Sequence, residues 1–296
     1  MTSPALRHRA LLLVTATLFS TGGAAIKWAT LTGWQIASFR SGVAAAVLLL
    51  VLPEARRAWQ WRIVPVAAAY AATLITFVLA NRLTTSADAI FLQFTAPFYL
   101  MLLGPWLLHE PLGRADVLYM AALAAGMAVF FAGGEPAAAT APDPRKGNLI
   151  AAGSGLSYAL MLAGLRWLAR REGASAAIAT VALGNILACV AALPLALPVT
   201  AASGHDVAVI LYLGVVQIGL AYFCLARGMG HVPALQAGTL LAVEPALNPV
   251  WTWLVHGERP GAWPLAGGAL ILGATLANTW RQARGKAATG VQGRGA

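Results

Sequence analysis

The sequence predicts an all-α integral membrane protein, with ten transmembrane helices as two inverted five-helix repeats around a central cavity. Three observations predict it. First, the 296 residues are 59% hydrophobic and only 10% charged, with a mean hydropathy of +0.72. A soluble chain carries about 25% charged residues. Second, apolar runs long enough to cross the hydrocarbon core recur along the chain, and such a crossing takes about 20 residues. Third, one proline-centred stretch near the end of the first half returns near the end of the second.

Reading apolar runs against charged or turn-rich breaks places the spans at 9–30, 34–52, 63–82, 86–107, 115–132, 148–169, 176–198, 207–229, 233–255 and 262–281. The first begins as "ALRHRALLLVTATLFS", with Arg7 and Arg9 ahead of an apolar stretch, like a signal peptide. The run continues past Ile26, which predicts a retained span. Most breaks are short, such as "PEARRAWQWR" and "HEPLGR". The longest, "GGEPAAATAPDPRKG" (133–147), is rich in Pro and Ala and reads as a linker between halves. The predicted organisation is a first repeat at 1–134, a linker at 135–147, a second, inverted repeat at 148–281 and a disordered cytoplasmic tail at 282–296.

The net charge of +10 is explained by orientation and not by a nucleic-acid partner, because the basic residues cluster at the ends of apolar runs. Thirteen of them (Arg7, Arg9, Arg56, Arg57, Arg62, Arg114, Arg170, Arg171, Arg227, Arg281, Arg284, Lys286, Arg294) fall in breaks on the side of the termini. Four (Arg82, Arg145, Lys146, Arg259) fall on the other. The bias predicts both ends in the cytoplasm. The two cysteines, Cys189 and Cys224, sit inside apolar runs and read as small packing residues.

The repeat is visible residue by residue. "AIFLQFTAPFYLMLLGPWLLHEPLG" (89–113) aligns without gaps on "AGTLLAVEPALNPVWTWLVHGERPG" (237–261), so Pro97 matches Pro245 and Glu110 matches Glu258, each at an offset of 148. A weaker match links "IKW" (26–28) with "LRW" (165–167). Five spans per half is an odd number, so the second copy enters the membrane from the opposite side. Such a design offers two near-equivalent conformations, one open to each face.

The two proline-centred spans ending in acidic loops, "TAPFYLMLLGPWLLHEPL" and "VEPALNPVWTWLVHGERP", are each followed by a Gly-rich span, "ALAAGMAVFFAGG" and "AGGALILGATLAN". In these features the chain resembles the drug/metabolite transporter superfamily, specifically the EamA-type ten-span exporters. Among these it is most similar to the YddG-type aromatic amino-acid exporters. The resemblance covers roughly 9–281. It implies a basket of ten helices with a central cavity, alternating access, a small-molecule cargo and a bacterial inner membrane, with no cofactor. It departs from the usual Gly before Glu in the first loop, where His109 precedes Glu110.

Glu244 is the outstanding residue. A charge at a helix centre costs about 2.5–3.5 kcal/mol on the insertion scale, nearly cancelling the gain from the Leu and Val residues around it. It is therefore expected to face the bundle interior or a wet cavity, as a substrate-binding or protonation site or as a hydrogen-bonded packing carboxylate. Glu244, Asn248 and Trp251 share one helical face, as do Gln93 and Pro97 in the twin. Tyr70, Phe77 and Asn81 line another face, as do Gln217 and Cys224, while Phe19 and Tyr158 occupy matching places in the first span of each half.

Aromatic walls with a few amides suit a zwitterion with an apolar side chain. The predicted substrate-binding set is Phe19, Tyr70, Phe77, Gln93, Tyr158, Gln217, Glu244, Asn248 and Trp251. Each aromatic also has a plain reading as core packing. Pro97, Pro105, Pro245 and Pro249 remove amide donors and read as hinges or static kinks. Lys27, Arg40 and Arg166 lie within or near span ends and are expected to snorkel to the interface, the alternative being a substrate carboxylate.

His109–Glu110 and His256–Gly257–Glu258 fall at matching loops of inverted halves, hence on opposite membrane faces, so no shared metal site is expected. No Walker loop or nucleophile–base signature is present. These features predict an alternating-access transporter of amino acids, aromatic or other apolar ones, and related small metabolites, and the resemblance implies that it exports them. A proton-coupled multidrug or cation efflux carrier is the alternative, and a membrane-embedded enzyme or assembly subunit is the alternative of another class. Its partners are expected to be the bilayer and a small solute, with a monomer as the simplest assembly.

Overall fold

In the computed structural model, residues 4–57, 59–107, 113–132, 136–229, 232 and 240–292 are described. They are almost entirely helical, apart from an isolated bridge between Ala138 and Ala141 in the inter-half connection. Eight helical stretches among them are long and apolar enough to cross a membrane. Large apolar side chains point outward all round the bundle: Leu50 and Trp61 are each 76% exposed and Leu118 is 72% exposed. A water-soluble fold does not present such a belt; a bilayer covers it.

The first span is broken. α1 (Pro4–Ser20) and α2 (Gly22–Trp28) meet at Thr21. α3 (Gly33–Val51) begins with a capping box in which the Thr32 hydroxyl accepts from Gln35 N–H and the Gln35 side chain accepts from Thr32 N–H. A short α4 (Glu54–Arg57) leads to α5 (Ile63–Leu83). The fourth span is split into α6 (Ser86–Gln93), capped by Thr85, and α7 (Ala96–Leu107). α8 (Arg114–Ala132) closes the first half.

α9 (Pro144–Glu172) starts where Asp143 caps Lys146 N–H and Pro144 takes the first turn, a position that needs no donor. α10 (Ala174–Ala196) follows. The eighth span runs unbroken through α11 (Gly204–Leu211), a π-helical stretch at Tyr212–Leu220 and α12 (Ala221–Met229). α13 (Val243–His256) ends at Gly257, whose φ of 65° is the left-handed conformation glycine adopts freely. α14 (Ala262–Gln292) ends the described chain.

One expectation falls partly outside the described residues, and one changes. The ninth expected span, 233–255, is described only from 240, and α13 is 14 residues long. Helix α14 continues past Arg281 to Gln292, through the segment expected to be a disordered tail. Ala, Arg, Lys and Gln dominate that segment, and they are good helix formers.

Small residues set the close approaches between helices. A Cβ at Gly214 or Gly219 would fall 2.5 Å and 2.7 Å from Val43 and Val47. The two glycines are five apart on the π-helical stretch and meet valines four apart on α3, as the wider π turn allows. Gly42 sits against Cys189 Sγ, Gly164 against Val66 and Gly184 against the Tyr70 ring. Cys189 and Cys224 are both free thiols. The principal packing partners are α3 with α10, α5 with α9 and α10, α8 with α14, α1 with α12 and α13, α2 with α13, α6 and α7 with α9, and α3 with the π-helical stretch.

Candidate functional site

Where these helices meet, a cavity of about 100 Å³ opens. That is room for several waters or part of a small solute. Its lining comes from both halves: Phe19, Arg40, Tyr70, Thr73, Leu74, Phe77 and Gln93 from the first, and Tyr158, Met161, Gln217, Ile218, Tyr222 and Glu244 from the second.

The rings are held by edge-on contacts. Tyr222 meets Phe19 at 5.2 Å and Tyr70 at 5.9 Å between ring centroids, both T-shaped. Asn185 on α10 reaches the Tyr70 hydroxyl at 3.4 Å and anchors itself to the Val181 carbonyl. Gln93 donates to Ser154 Oγ on α9 at 2.8 Å, tying the broken fourth span to the sixth. Gln217, in the π-helical stretch, donates to the Phe19 carbonyl at 3.4 Å, and its Oε1 has no partner.

Two opposite charges share this cavity. Arg40 is 2% exposed; its Nη2 donates to the Leu74 carbonyl at 3.2 Å and its Nε has no partner. Glu244 sits in the first turn of α13 and makes no ion pair with Arg40. Tyr222 lies within electrostatic reach of both charges, Tyr70 of Arg40 and Tyr158 of Glu244.

Of the nine residues singled out by helical spacing, seven line the cavity: Phe19, Tyr70, Phe77, Gln93, Tyr158, Gln217 and Glu244. Asn248 and Trp251 turn away from it. Asn248 is fully buried beside Gly23, with neither side-chain atom partnered. Trp251 Nε1 donates to Ser20 Oγ at 2.9 Å. Both face α1 and α2, because those helices pack on the flank of α13 that carries these two residues.

Pro97 and Pro245 each lie in the first turn of a helix, just after a turn at Phe94–Thr95 and at Ala242 respectively. There a missing N–H costs no helical bond, so these two prolines mark helix starts rather than opening a ladder. Pro249 alone sits inside α13. Pro105 lies near the end of α7, its side-chain surroundings outside the described residues, as is the whole of His109–Glu110.

Spacing missed Arg40, Thr73 and Tyr222. Arg40 also corrects an expectation, since it does not snorkel. The neighbouring helices α5 and α10 cover it, and it is held inward by a carbonyl. Lys27 does not snorkel either. Its ammonium lies 2.9 Å from Glu258 Oε2, with both side chains 3% exposed, and donates to the carbonyls of Thr84 (2.8 Å) and Thr140. Arg166 is exposed.

Lys27 belongs to a dense polar seam at the end of the bundle remote from the termini. Glu258 Oε1 accepts from Ser86 N–H at 2.7 Å, and His256 contacts the Ala24 carbonyl at 2.8 Å. Asp206 accepts from Thr30 N–H and Oγ1 at 2.7 and 2.8 Å, and Thr84 donates to Asn148 at 2.6 Å. At the opposite end the ion pairs Arg62–Glu172 and Arg281–Asp116 are partly exposed.

Comparison with known proteins gives two findings. Residues 145–280 match the model of the EamA-like transporter family. A solved structure described only as "Crystal structure of protein" superposes with a TM-score of 0.61 at 19% identity, over 90% of this chain and 96% of its own. At that identity the likeness concerns the fold. No curated protein matches the chain.

Proposed function

We propose that this protein is an alternating-access carrier that exports amino acids with aromatic or other apolar side chains, and related small metabolites. On this reading it sits in a bacterial inner membrane with both termini cytoplasmic, as the charge bias predicts. The observation that carries the proposal is the shared cavity, in which aromatic rings, two amides and opposite charges from both halves converge.

The inverted repeat behind the mechanism has independent support. Pairing the spans in order, first with sixth, second with seventh and so on, maps the packing onto itself. α3 meets its counterpart α10, and α8 meets its counterpart α14. The contact of α5 with α9 corresponds to that of α12 with α1. The lining follows the same exchange: Tyr70 and Ile218, and Leu74 and Tyr222, are each 148 apart, the offset of the repeated stretch. A pseudo-two-fold centre of this kind can face either side by rocking. The polar seam around Lys27 and Glu258 then closes the face remote from the termini, and Pro249, inside α13, marks where that helix can bend.

Purified protein in liposomes is expected to move labelled phenylalanine or tryptophan faster than empty vesicles do. Equal rates would overturn the proposal and favour an enzyme or assembly subunit. Glu244, without a described partner, supports a second reading as the proton site of a cation efflux carrier. Glu244→Gln separates the two: loss of pH-gradient dependence supports the second, and pH-independent loss of amino-acid flux supports the first.

A further inference from the structure

We infer that Arg40 is the carboxylate subsite of the cavity and Glu244 its ammonium subsite, so that the cargo is a zwitterion carrying both groups. The inference rests on the carrier reading above and names which end of the solute each charge holds.

Taking an ion out of water costs several kcal/mol unless partners replace the water. Elsewhere in this bundle that cost is met: the Lys27 ammonium has a carboxylate and two carbonyls. Arg40 is as deeply buried, yet its five-donor fork has one described protein acceptor, the Leu74 carbonyl, and its Nε has none. Nε with one Nη is the edge a carboxylate grips with two parallel hydrogen bonds.

Glu244 lines the same cavity without a described partner and is an acceptor for an ammonium group. Tyr222 lies within electrostatic reach of both charges, Tyr70 of Arg40 and Tyr158 of Glu244, and Phe19 packs on Tyr222. This is a wall for an apolar or aromatic side chain.

The cavity offers one group suited to an anion and one suited to a cation, which selects among solutes. An amine alone would neutralise Glu244 and leave Arg40 buried without an anion. A simple carboxylate would do the reverse. Only a solute carrying both groups satisfies both, and a site built for a charge rejects the analogue lacking it far more strongly than it rejects a changed methylene.

The test is flux of phenylalanine, phenethylamine and 3-phenylpropionate in reconstituted vesicles, for the wild type, Arg40→Gln and Arg40→Lys. The wild type is expected to favour phenylalanine over both analogues by about tenfold or more. Arg40→Gln is expected to lose phenylalanine flux by a similar factor while phenethylamine flux changes by less than about threefold. Arg40→Lys, which keeps the charge and loses the fork, falls between.

If phenylalanine moves at the wild-type rate in both variants, the carboxylate assignment is wrong and the carrier reading stands. If phenethylamine outruns phenylalanine in the wild type, the assignment is also wrong, and the cargo is a cation. If no solute moves, both readings fall together. Should Arg40→Gln fail to fold, the wild-type selectivity and Arg40→Lys decide.

Discussion

At one end of the bundle Lys27 and Glu258 lie 2.9 Å apart, each 3% exposed, ringed by the Thr84 and Thr140 carbonyls and the Ser86 amide. In the central cavity Arg40 and Glu244 share one space without pairing, and the Arg40 Nε is unpartnered. Both sites bury an acid and a base among apolar helices. The first satisfies its charges from within the protein; the second leaves them to be satisfied by something else. A paired set holds helices together, because α2, the start of α6 and the loop after α13 all converge on it. An unpaired set is a cost to the fold, and it persists where a ligand offsets it.

The sharpest way to break this contrast is to remove one partner at the seam. Lys27→Met or Glu258→Gln leaves an uncompensated buried charge or its unmet partners, at about 3–5 kcal/mol. The melting temperature in detergent is expected to fall steeply for either single variant. The double variant should be less damaged than the sum of the two, since the orphaned charge is then gone. Additive losses would mean that the two side chains do not act as a pair.

The cavity should respond in the opposite sense. Glu244→Gln is expected to leave thermal stability unchanged or raise it by on the order of 1 kcal/mol, while transport falls. A loss as large as that of the seam variants would make Glu244 a packing carboxylate and erase the difference between the two regions.

How much of this the sequence carried depends on what kind of signal each residue sends. Glu244 and Gln217 stand out because a polar group amid an apolar run has few places to go, and helical spacing then groups their neighbours. Tyr70 and Phe77 follow from the same periodicity, and the cavity gathers them. Asn248 and Trp251 share the spacing of Glu244 but not its surroundings, because α1 and α2 cover that flank of α13. No one-dimensional pattern tells which part of an apolar stripe meets a helix and which meets a void.

Arg40 was hidden for a related reason. It is the eighth residue of α3, close enough to a span end to snorkel, and only the packing of α5 and α10 closes that route. Tyr222 did have a signal. It lies 148 residues after Leu74, so carrying the repeat offset beyond the proline-centred stretch would have placed it beside Ile218. The π-helical stretch left only its two glycines, Gly214 and Gly219, at a five-residue spacing whose meaning emerges against Val43 and Val47.

The smallest effect belongs to a third acid–base pair, which sharpens the contrast by being outside the apolar core. Arg62 donates to Glu172 at 2.5 Å where α5 begins and α9 ends, in a setting open to water. The hydrogen bond from Arg62, aided by Gln60, holds the Glu172 carboxyl below its ordinary value. A carboxylate with a lowered value stabilises the fold at pH above the ordinary carboxylate range and loses that contribution as pH falls through its folded value. Solvent screens the pair, so its worth is slight. Comparing melts of the wild type and Glu172→Gln, a small deficit for the variant is expected near pH 7 and should shrink toward zero as the buffer is taken below pH ~4. A large deficit, or one that grows in acid, would mean that Glu172 is anchored as tightly as Glu258. Exposure to solvent would then not be what separates a surface pair from the buried seam.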